Sequence, residues 1–453
     1  MTFSPDKLLQ SLSSLDGCSN YCVALSGGMD SVVLLHALAE LQKSGRLPDT
    51  QKLSAIHINH QLSDRAAAWQ VFCEELCSTL NIALSTEKIA VPRDSGEGLE
   101  SAARSARYAA FAAHLEPGDV LLLAHHLDDQ METLLLRLMR GSGPGGLAGI
   151  PLQRELGKAR LYRPLLAYSR QQLKDYAAQA RLHWQEDDSN QNVDFDRNFC
   201  RHELLPLIQT RWPSYRESWT KAARLAGEAD LLLTELAQLD LDSAVGRDAS
   251  VIDLAALLNL SQPRQRSALR LWLLDGGVPN CGWNMLQKLT GELIPAADDA
   301  TAVFQGEEFQ IRRFRNRLYL LQSLPVVKLP GHVEWDANKN RCFALSANGS
   351  LSANKSIGVG LKLQDCETLA IRYREGGEEC QLAGRPTKSL KKLMQEYHLP
   401  PWLRDRLPLL FIDQDLACVP GIGVAEKFSV AANQPGLAIV WKQPDLRYEA
   451  KEI

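Results

Sequence analysis

The sequence predicts an α/β protein in which an N-terminal parallel-sheet domain is followed by a mainly helical domain and a small α+β domain. Three observations support this prediction. Short apolar runs alternate with helix-like stretches over roughly the first 140 residues, which is typical of parallel βα units. The next stretch is rich in helical patterns, and roughly the last hundred residues mix short strand-like segments with one clear helix. A length of 453 residues predicts about three domains.

The strands of the first domain are predicted from four apolar runs that helix-like stretches separate. The predicted strands are 21–25, 53–58, 82–85 and 120–124, and the predicted helices are 31–41, 64–80, 99–115 and 128–140. This order gives parallel pairing with right-handed crossovers, so a Rossmann-like sheet with helices on both faces is expected. Ligands of such sheets bind beyond the carboxyl ends of the strands, and functional residues are therefore expected just after Leu25, Ile58 and Ala124.

Pro- and Gly-containing segments predict the domain boundaries. We expect domains at 1–213, 214–325 and 355–453, with strand-like character at 304–321. The Gly-rich segment 141–149 has the spacing of a dinucleotide fingerprint, but it follows a predicted helix where that fingerprint requires a strand. It is interpreted as a mobile loop at the mouth of the site, with no dinucleotide.

The composition excludes several classes of protein. Hydrophobic residues make up 45% and charged residues 23% of the chain, which is typical of globular proteins and excludes disordered, collagenous and coiled-coil chains. The net charge of −4 excludes a uniformly basic coat for nucleic acid but allows local basic patches. The N-terminus lacks a secretory pattern, and no apolar run reaches the ~18 residues of a membrane span, so we expect a soluble, cytoplasmic protein.

The strongest motif is a turn between the first predicted strand and its helix. It consists of Ser26, Gly27, Gly28, Met29, Asp30 and Ser31. Glycines let backbone amides approach a pyrophosphate closely, and the helix N-terminus adds positive potential at the same point. Asp30 is expected to hold a magnesium ion or to cap the helix. The alternative is an ordinary turn in which Asp30 or Ser31 is the N-cap. The turn carries no lysine, which favours pyrophosphate as a leaving group over γ-phosphoryl transfer.

This turn resembles the pyrophosphate loop of the N-type ATP pyrophosphatases (the PP-loop superfamily). Further motifs resemble the tRNA(Ile)-lysidine synthetase family over most of the chain. They lie at 57–62, 98–108, 124–133, 163–166, 186–201 and 374–393, and they differ from the family where Gln61 replaces its usual glycine. The resemblance implies a ligase that uses ATP and Mg²⁺ to adenylate the wobble cytidine of isoleucine tRNA with a CAU anticodon. Free L-lysine then displaces AMP and forms lysidine, which switches decoding from AUG to AUA. A homodimer is left open.

Acids and cations behind the loop supply the remaining candidates for the active site. Asp129 and Glu132 lie three residues apart near a helix start, hence on one face, and favour an anionic pocket for an amine; the resemblance implies lysine. The alternative is a set of helix-start acids, with Asp128, that only complements the helix dipole. The resemblance implies a catalytic role for Arg104 and leaves Arg107 structural, although both could belong to a solvated face. His57 and His125 are assigned to nucleotide binding, with a satisfied core histidine as the alternative for His125.

Basic residues in three regions are the candidates for tRNA contact. The segment 372–406 holds eight bases and five acids, and the expected contacts are Arg374, Arg385, Lys388, Lys391 and Lys392. Arg313, Arg315 and Arg317 alternate with apolar residues, so we expect them to line one face of a strand with Tyr319. Arg197 and Arg201 belong to one of the family motifs. The alternative for each patch is a solvated face.

Two rival functions remain open. A tRNA thiolase of the same superfamily would share the loop, but none of the ten cysteines forms the Cys-x-x-Cys pair that suits sulfur chemistry or a zinc ribbon. A non-catalytic ATP-sensing module would also share the loop, and it would leave Asp129 and Glu132 without a role.

Overall fold

The computed structural model describes most residues of the chain. They are 2–15, 17–48, 51–59, 65–90, 99–186, 191–246, 248–279, 281–296, 302–323, 333–366 and 369–447. The chain divides into two compact units, 1–232 and 233–453. Parts of three predicted motifs, at 60–62, 98 and 187–190, lie outside the described residues, and the three domain boundaries stay predictions.

A six-stranded sheet forms the centre of the first unit. Its strands are β1 (Asn20–Ala24), β2 (Lys52–Asn59), β3 (Ala83–Lys88), β4 (Asp119–Leu122), β5 (Gln153–Leu156) and β6 (Ala159–Tyr162). The order is β3-β2-β1-β4-β6-β5, and every pair is parallel except β5 with β6. The predicted parallel α/β domain is confirmed. The antiparallel hairpin of β5 and β6 was not predicted.

Helices cover this sheet and continue beyond it. They are α1 (Pro5–Leu12), α2 (Met29–Lys43), α3 (Ala66–Leu80), α4 (Leu99–His114), α5 (Leu127–Met139), α6 (Pro144–Leu147), α7 (Arg170–Gln179), α8 (Asp196–Phe199), α9 (Leu205–Arg211) and α10 (Tyr215–Ala244). Helix α2 is buried on nearly all sides because the residues after its first turn are mostly apolar from Val32 to Leu41, as expected of a helix packed against a sheet and between other helices. A single π turn, Cys200–Leu204, joins α8 to α9.

The strand order creates a crevice at the carboxyl edge of the sheet. Strand β1 pairs with β2 on one side and with β4 on the other, so the chain leaves the centre in opposite directions. Such a reversal opens a ligand site beyond the carboxyl ends of the strands. The turn after β1 and the residues after β4 therefore meet at one edge, as the sequence predicts.

The Gly-rich segment is not an irregular loop. It contains α6, and side chains of α5 hold it: Arg137 Nη1 donates to the carbonyl oxygens of Gly146 (2.7 Å) and Gly149 (2.6 Å). Gln130 Oε1 accepts a hydrogen bond from the Ile150 amide at 2.6 Å. The expected loop is therefore a short helix with hydrogen-bonded ends.

The second unit contains a helical part with a small sheet and a strand-rich part. In the first, β7 (Val251–Asp253), β8 (Val303–Gln305), β9 (Phe309–Phe314) and β10 (Arg317–Gln322) form a four-stranded sheet beside α11 (Leu254–Leu258), α12 (Gln262–Asp275) and α13 (Trp283–Lys288). The core of this part joins apolar side chains of α12 to the inner face of β9 and β10. The strand-like character predicted for 304–321 is confirmed.

The strand-rich part confirms the predicted α+β character of the C-terminal region. Its strands are β11 (Val333–Trp335), β12 (Cys342–Ala344), β13 (Ser350–Ile357), β14 (Leu361–Lys362), β15 (Leu369–Arg372), β16 (Glu379–Cys380), β17 (Lys388–Ser389), β18 (Leu409–Ile412), β19 (Asp415–Val419), β20 (Gly423–Val424) and β21 (Pro435–Lys442), with helices α14 (Leu390–Glu396) and α15 (Pro401–Arg404). They form sheets of five, four and two strands around one apolar core. Among the described helices, none is both long and apolar enough to cross a bilayer.

Candidate functional site

The turn after β1 is shaped by glycine. Gly27 has φ +86°, a left-handed conformation that L side chains rarely adopt, and Gly28 is the N-cap of α2 without any side-chain cap. The alternative in which Asp30 or Ser31 is the N-cap is therefore wrong. The first amides of an α-helix have no intrahelical acceptor, so the start of α2 keeps donors available for an anion.

Two serine hydroxyls brace the turn. Ser31 Oγ donates to the Gly28 carbonyl oxygen at 2.9 Å and lies 3.1 Å from Ser26 Oγ. The Gly28 amide donates to Ser26 Oγ at 3.3 Å. These contacts hold the loop in shape, and they give both hydroxyls partners that an oxygen of a bound phosphate could replace.

A cavity of about 430 Å³ lies above this turn, a volume within the range of small-molecule sites. Its walls include residues of the turn, of the ends of β2 and β4, and of α4, among them Ser26, Gly28, Asp30, Ser31, His57, Asn59, Arg107, Tyr108 and His125. The structure thus gathers most of the predicted nucleotide-binding residues around one space. Gly27 and Met29 complete the same turn, with Met29 buried beneath it.

Arg104 is not among the residues that line this cavity. Its side chain is exposed, with the guanidinium carbon 5.0 Å from the centroid of the Tyr108 ring. Arg107, one turn further along α4, does line the cavity. The catalytic role of Arg104 stays a prediction, and the geometry makes Arg107 a second candidate.

Asp30 and His126 connect the turn to the start of α5. His126 Nε2 lies 3.6 Å from Asp30 Oδ2, while Asp30 Oδ1 is buried without a hydrogen-bond partner among the described residues. Burial lowers the pKa of His126, but the contact with Asp30 and the nearby carboxylates outweigh it and raise the pKa overall. His126 is also the N-cap of α5, a position where sequence rules favour Ser, Thr, Asp or Asn, so its role was not predicted.

The two predicted histidines have different environments. His57 is buried, and its Nδ1 donates to the Leu25 carbonyl oxygen at 2.8 Å, which ties β2 to the base of the turn. Burial, followed by the positive charges of nearby arginines, lowers the pKa of His125 to about 3. His125 is therefore a neutral imidazole at the cavity wall near pH 7.

The predicted acid pair forms a buried cluster with two arginines. Arg197 Nε donates to Glu132 Oε2 at 2.7 Å, and its Nη2 donates to Asp129 Oδ1 at 2.9 Å. Arg201 Nε donates to Glu132 Oε1 at 2.6 Å, and its Nη2 contacts Asp129 Oδ1 at 3.3 Å. We call these four residues the acid–arginine cluster; Glu132 is fully buried and Asp129 is 8% exposed.

The contacts within the cluster shift the pKa values of its members. Burial raises the pKa of Asp129, but His126 and Arg197 outweigh this effect and lower the pKa overall. The carboxylates raise the pKa values of Arg197 and Arg201 above normal although burial opposes this. Both arginines were predicted to contact tRNA. In the structure they pair with Asp129 and Glu132, and a tRNA contact stays a prediction.

Asp128 does not belong to the cluster. Arg216 holds it through Nε (2.8 Å) and Nη2 (2.6 Å), and it accepts a hydrogen bond from the Arg170 amide at 2.7 Å. Asp129 also caps the helix start, because its Oδ2 accepts a hydrogen bond from the His126 amide at 2.9 Å; the helix-dipole alternative for these acids stays open.

The predicted row of Arg313, Arg315, Arg317 and Tyr319 along one strand is wrong. Arg315 lies in the turn between β9 and β10, with φ +55°, so the alternation breaks there. Arg313 pairs with Leu318 on the core-facing side, and its guanidinium donates to the carbonyls of Ile294 and Ala296.

The opposite face of this hairpin carries the aromatic side chains. Arg312, Phe314, Arg317 and Tyr319 share it, since antiparallel partners point to the same side. Trp402 packs on this face, 5.0 Å from the Tyr319 ring centroid and 5.9 Å from that of Phe314. Part of the surface predicted for tRNA is therefore covered by α15.

Three of the five predicted tRNA contacts in the C-terminal part are exposed, and two are half-buried. On α14, Leu390, Leu393 and Met394 are buried, which leaves Lys391 and Lys392 exposed as the helical spacing predicts. The other three predicted contacts differ in their surroundings. Arg385 is exposed, Lys388 pairs with Glu396 at 2.5 Å, and Arg374 lies 3.6 Å from Asp405.

Comparisons with known proteins agree with these features. Residues 3–208 match a PP-loop domain, residues 252–319 a TilS substrate binding domain and residues 369–441 a TilS substrate C-terminal domain. The tRNA(Ile)-lysidine synthase of Coxiella burnetii is 39% identical over 98% of this chain and 97% of its own. Those of Alkalilimnicola ehrlichii and Pseudomonas aeruginosa are 40% and 39% identical, over 97% and 95% of this chain and 97% and 98% of theirs. With such identity along nearly the whole of both chains, this chain belongs to the tRNA(Ile)-lysidine synthase family.

Proposed function

We propose that this protein is an ATP-dependent ligase that joins lysine to C2 of the wobble cytidine in isoleucine tRNA with a CAU anticodon. The proposal rests mainly on one observation, the contact of His126 with both the phosphate loop and the acid–arginine cluster. His126 touches Asp30 of the phosphate loop at 3.6 Å and Asp129 of the acid–arginine cluster at 3.5 Å. A nucleotide on the loop and an amine at the acids would therefore lie side by side, as adenylation followed by amine attack requires.

The first step is assigned to the loop. The cytidine O2 attacks the α-phosphorus of ATP, the bond to the β-phosphate oxygen breaks, and pyrophosphate leaves. The amides at the start of α2 and the hydroxyls of Ser26 and Ser31 are suited to bind the phosphates. Neutral His125 and cationic Arg107 line the same cavity and can donate hydrogen bonds to oxygens that gain negative charge.

One carboxylate oxygen at this site, Asp30 Oδ1, is suited to bind Mg²⁺. The described residues contain no cluster of three or more His, Cys, Asp or Glu ligands, but Asp30 Oδ1 is a buried carboxylate oxygen without a partner. Protein sites for Mg²⁺ commonly use one or two carboxylates, with phosphates and waters completing the shell. Asp30 would hold the ion, which would neutralise charge on the departing pyrophosphate.

The second step is assigned to the acid–arginine cluster. The lysine ε-amine attacks C2, the bond from C2 to the AMP oxygen breaks, and the amine loses a proton. In this cluster two carboxylates already face two guanidinium groups, so the charges balance without lysine. We infer that an incoming ammonium displaces a guanidinium, and that the displaced group binds the lysine α-carboxylate. Arg197 is the better candidate because its side chain is 35% exposed, against 23% for Arg201.

The tRNA is assigned to exposed bases of the second unit. Lys391 and Lys392 project from α14, and Arg385 is exposed in the same part of the chain. Exposed cations of this kind contact phosphates without reading sequence. A homodimer and a cytoplasmic location stay predictions.

The proposal is tested with unmodified transcripts, ATP and labelled lysine. Label should appear on the CAU-anticodon isoleucine tRNA, together with one AMP for each lysine joined, and the methionine tRNA with the same anticodon is the control. AMP release without transfer of label would contradict the proposal, and equal labelling of both tRNAs would contradict its substrate specificity.

The rival functions are less well supported. The relatives above are all named for lysidine synthesis, and burial raises the pKa of the Cys73 thiol, beside His57, to about 12. A thiol of that pKa is a poor nucleophile near pH 7. Transfer of labelled sulfur to tRNA would favour a thiolase, and ATP binding without any AMP release would favour a sensing module.

A further inference from the structure

Arg163 is a buried cation that interacts with two residues of the cavity wall, Tyr108 and His125. It follows β6, is 2% exposed, and has no carboxylate within ion-pair distance among the described residues. Its Nη1 donates to the Pro151 carbonyl oxygen at 2.6 Å, and its guanidinium interacts electrostatically with the Tyr108 phenol. A buried charge without a counter-ion is costly, so its presence here calls for a reason other than stability.

The third contact of Arg163 is with the imidazole of His125. Arg163 Nε lies 3.3 Å from His125 Nδ1. Among the described residues, this is the hydrogen bond made by the His125 ring. Arginine keeps its proton at all accessible pH values and can only donate. His125 Nδ1 must therefore accept, which leaves the proton of a neutral ring on Nε2.

We propose that Arg163 is a positioning residue that fixes His125 in the Nε2–H tautomer and aims that N–H into the cavity. The inference rests on the proposed function, in which the cavity receives ATP and the cytidine. The acceptor is an anionic or carbonyl oxygen, either of a phosphate or of the base. A neutral donor held in this way keeps its geometry while charge develops on the acceptor.

The electrostatics of the site agree with this geometry. Burial is the main cause that lowers the pKa of His125, and the charge of Arg163 lowers it further. Asp129 opposes both, since its carboxylate raises the pKa of the same ring. Arg104 and Arg197 add to the lowering, so the groups around His125 favour the neutral ring on balance.

The tautomer can be measured directly on the full chain with ¹⁵N-labelled histidine. We expect the His125 signal, identified by its loss in His125→Gln, to report Nε2–H without titration from about pH 5.5 to 8. In Arg163→Met the ring should become a mixture of tautomers whose pKa moves towards its ordinary value. Arg163→Lys, whose ammonium can still donate, should restore the single tautomer.

Arg154→Met is the matched control for charge. The Arg154 guanidinium lies 4.5 Å from the Tyr108 ring centroid, but among the described residues the His125 ring is hydrogen-bonded to Arg163 and not to Arg154. Its loss removes one positive charge and should leave the tautomer unchanged. An unchanged Nε2–H tautomer in Arg163→Met would overturn the proposal, and so would an equal change in Arg154→Met.

A double-mutant cycle separates positioning from a merely structural role. Arg163→Met and His125→Ala should each lower kcat/KM for AMP release about 100-fold, as loss of a single oxyanion donor does. The double variant should lose little more than either single variant, because Arg163 acts through His125. Losses that multiply would contradict the proposal. If wild-type protein joins no lysine to tRNA, the proposed function fails, while the tautomer measurement still decides the role of Arg163.

Discussion

At the scale of single residues, two carboxylates of one helix have different partners. Glu132 belongs to the acid–arginine cluster, whereas Asp128 pairs with Arg216. Glu132→Gln leaves two guanidinium groups facing one carboxylate, so the amine site loses its charge balance. We expect the KM for lysine to rise at least 10-fold while the ATP affinity changes little. Because the acid–arginine cluster is buried, the loss of one carboxylate charge should also cost about 3 kcal/mol of stability. Lysine titrations at saturating ATP measure the first effect and urea unfolding the second.

Asp128→Asn is the control for Glu132→Gln. Asp128 lies on the same helix but pairs with Arg216, outside the cluster. Its loss should leave the KM for lysine unchanged. Equal losses of ATP and lysine binding in Glu132→Gln, or a similar rise in lysine KM in Asp128→Asn, would contradict the assignment of the cluster to lysine.

His125 makes stability depend on pH in a known direction. Its folded pKa is about 3, below the ordinary value of 6.5, so the unfolded chain binds its proton first as the pH falls. The neutral His125 ring therefore makes its full contribution to the free energy of unfolding above about pH 6.5. Below that pH the contribution decreases, and at pH 5.5 it is smaller by about 1.4 kcal/mol. Urea unfolding at pH 7.5 and 5.5 should therefore show a smaller pH effect in His125→Gln than in wild type. An identical pH effect in both proteins would rule out this explanation.

At the scale of elements, the turn between β1 and α2 depends on the backbone of Gly27. An alanine there would be strained by φ +86° and would bring its Cβ to 3.4 Å from Cys73 Sγ. We expect Gly27→Ala to lose about 1 kcal/mol of stability and to weaken ATP binding more than 10-fold, because the amides of the turn shift. Calorimetric titration with a non-hydrolysable ATP analogue measures the affinity.

Gly45→Ala is the matched control for that variant. Gly45 has φ +65° in the turn after α2, with nothing within 4 Å of an added Cβ. It should carry a similar cost in stability without any change in ATP affinity. Equal effects of the two variants on ATP binding would show that strain alone, and not the loop, is responsible.

The elements also show what sequence patterns can and cannot predict. The four strands and the loop were predictable because apolar runs and paired glycines are local signals. Arg313 and Arg317 were placed on one face because alternation cannot reveal that Arg315 and Asn316 form a hairpin turn. The cluster was half predicted: the spacing of Asp129 and Glu132 gives the acids, but their partners lie more than 60 residues away along the chain. Arg163 gave no local signal beyond its motif, because its role depends on a contact between two strand ends.

At the scale of the whole molecule, surface charge and buried charge should affect tRNA binding differently. The double variant Lys391→Glu/Lys392→Glu changes exposed cations and should weaken tRNA binding while leaving the affinity for ATP unchanged. The slope of log affinity against log salt should fall by about 1.5, as expected for two lost phosphate contacts. Filter binding at several salt concentrations measures both quantities.

Arg313→Met provides the comparison for the lysine variant. Its guanidinium is bound to backbone carbonyls inside the second unit, so we expect lower stability with an unchanged salt slope. A salt slope that stays the same in the lysine variant, or falls in Arg313→Met, would contradict the assignment of the tRNA surface to α14.

The imidazole of His126 has a consequence for the energetics of the two substrates. One ring touches the carboxylate expected to take the metal and the carboxylate expected to take the amine. Whatever engages Asp30 alters the hydrogen bonding available to Asp129, and the reverse must hold by the same factor, since linkage between binding equilibria is reciprocal. Nucleotide and amino acid should therefore bind cooperatively. The dissociation constant of each should change when the other is bound.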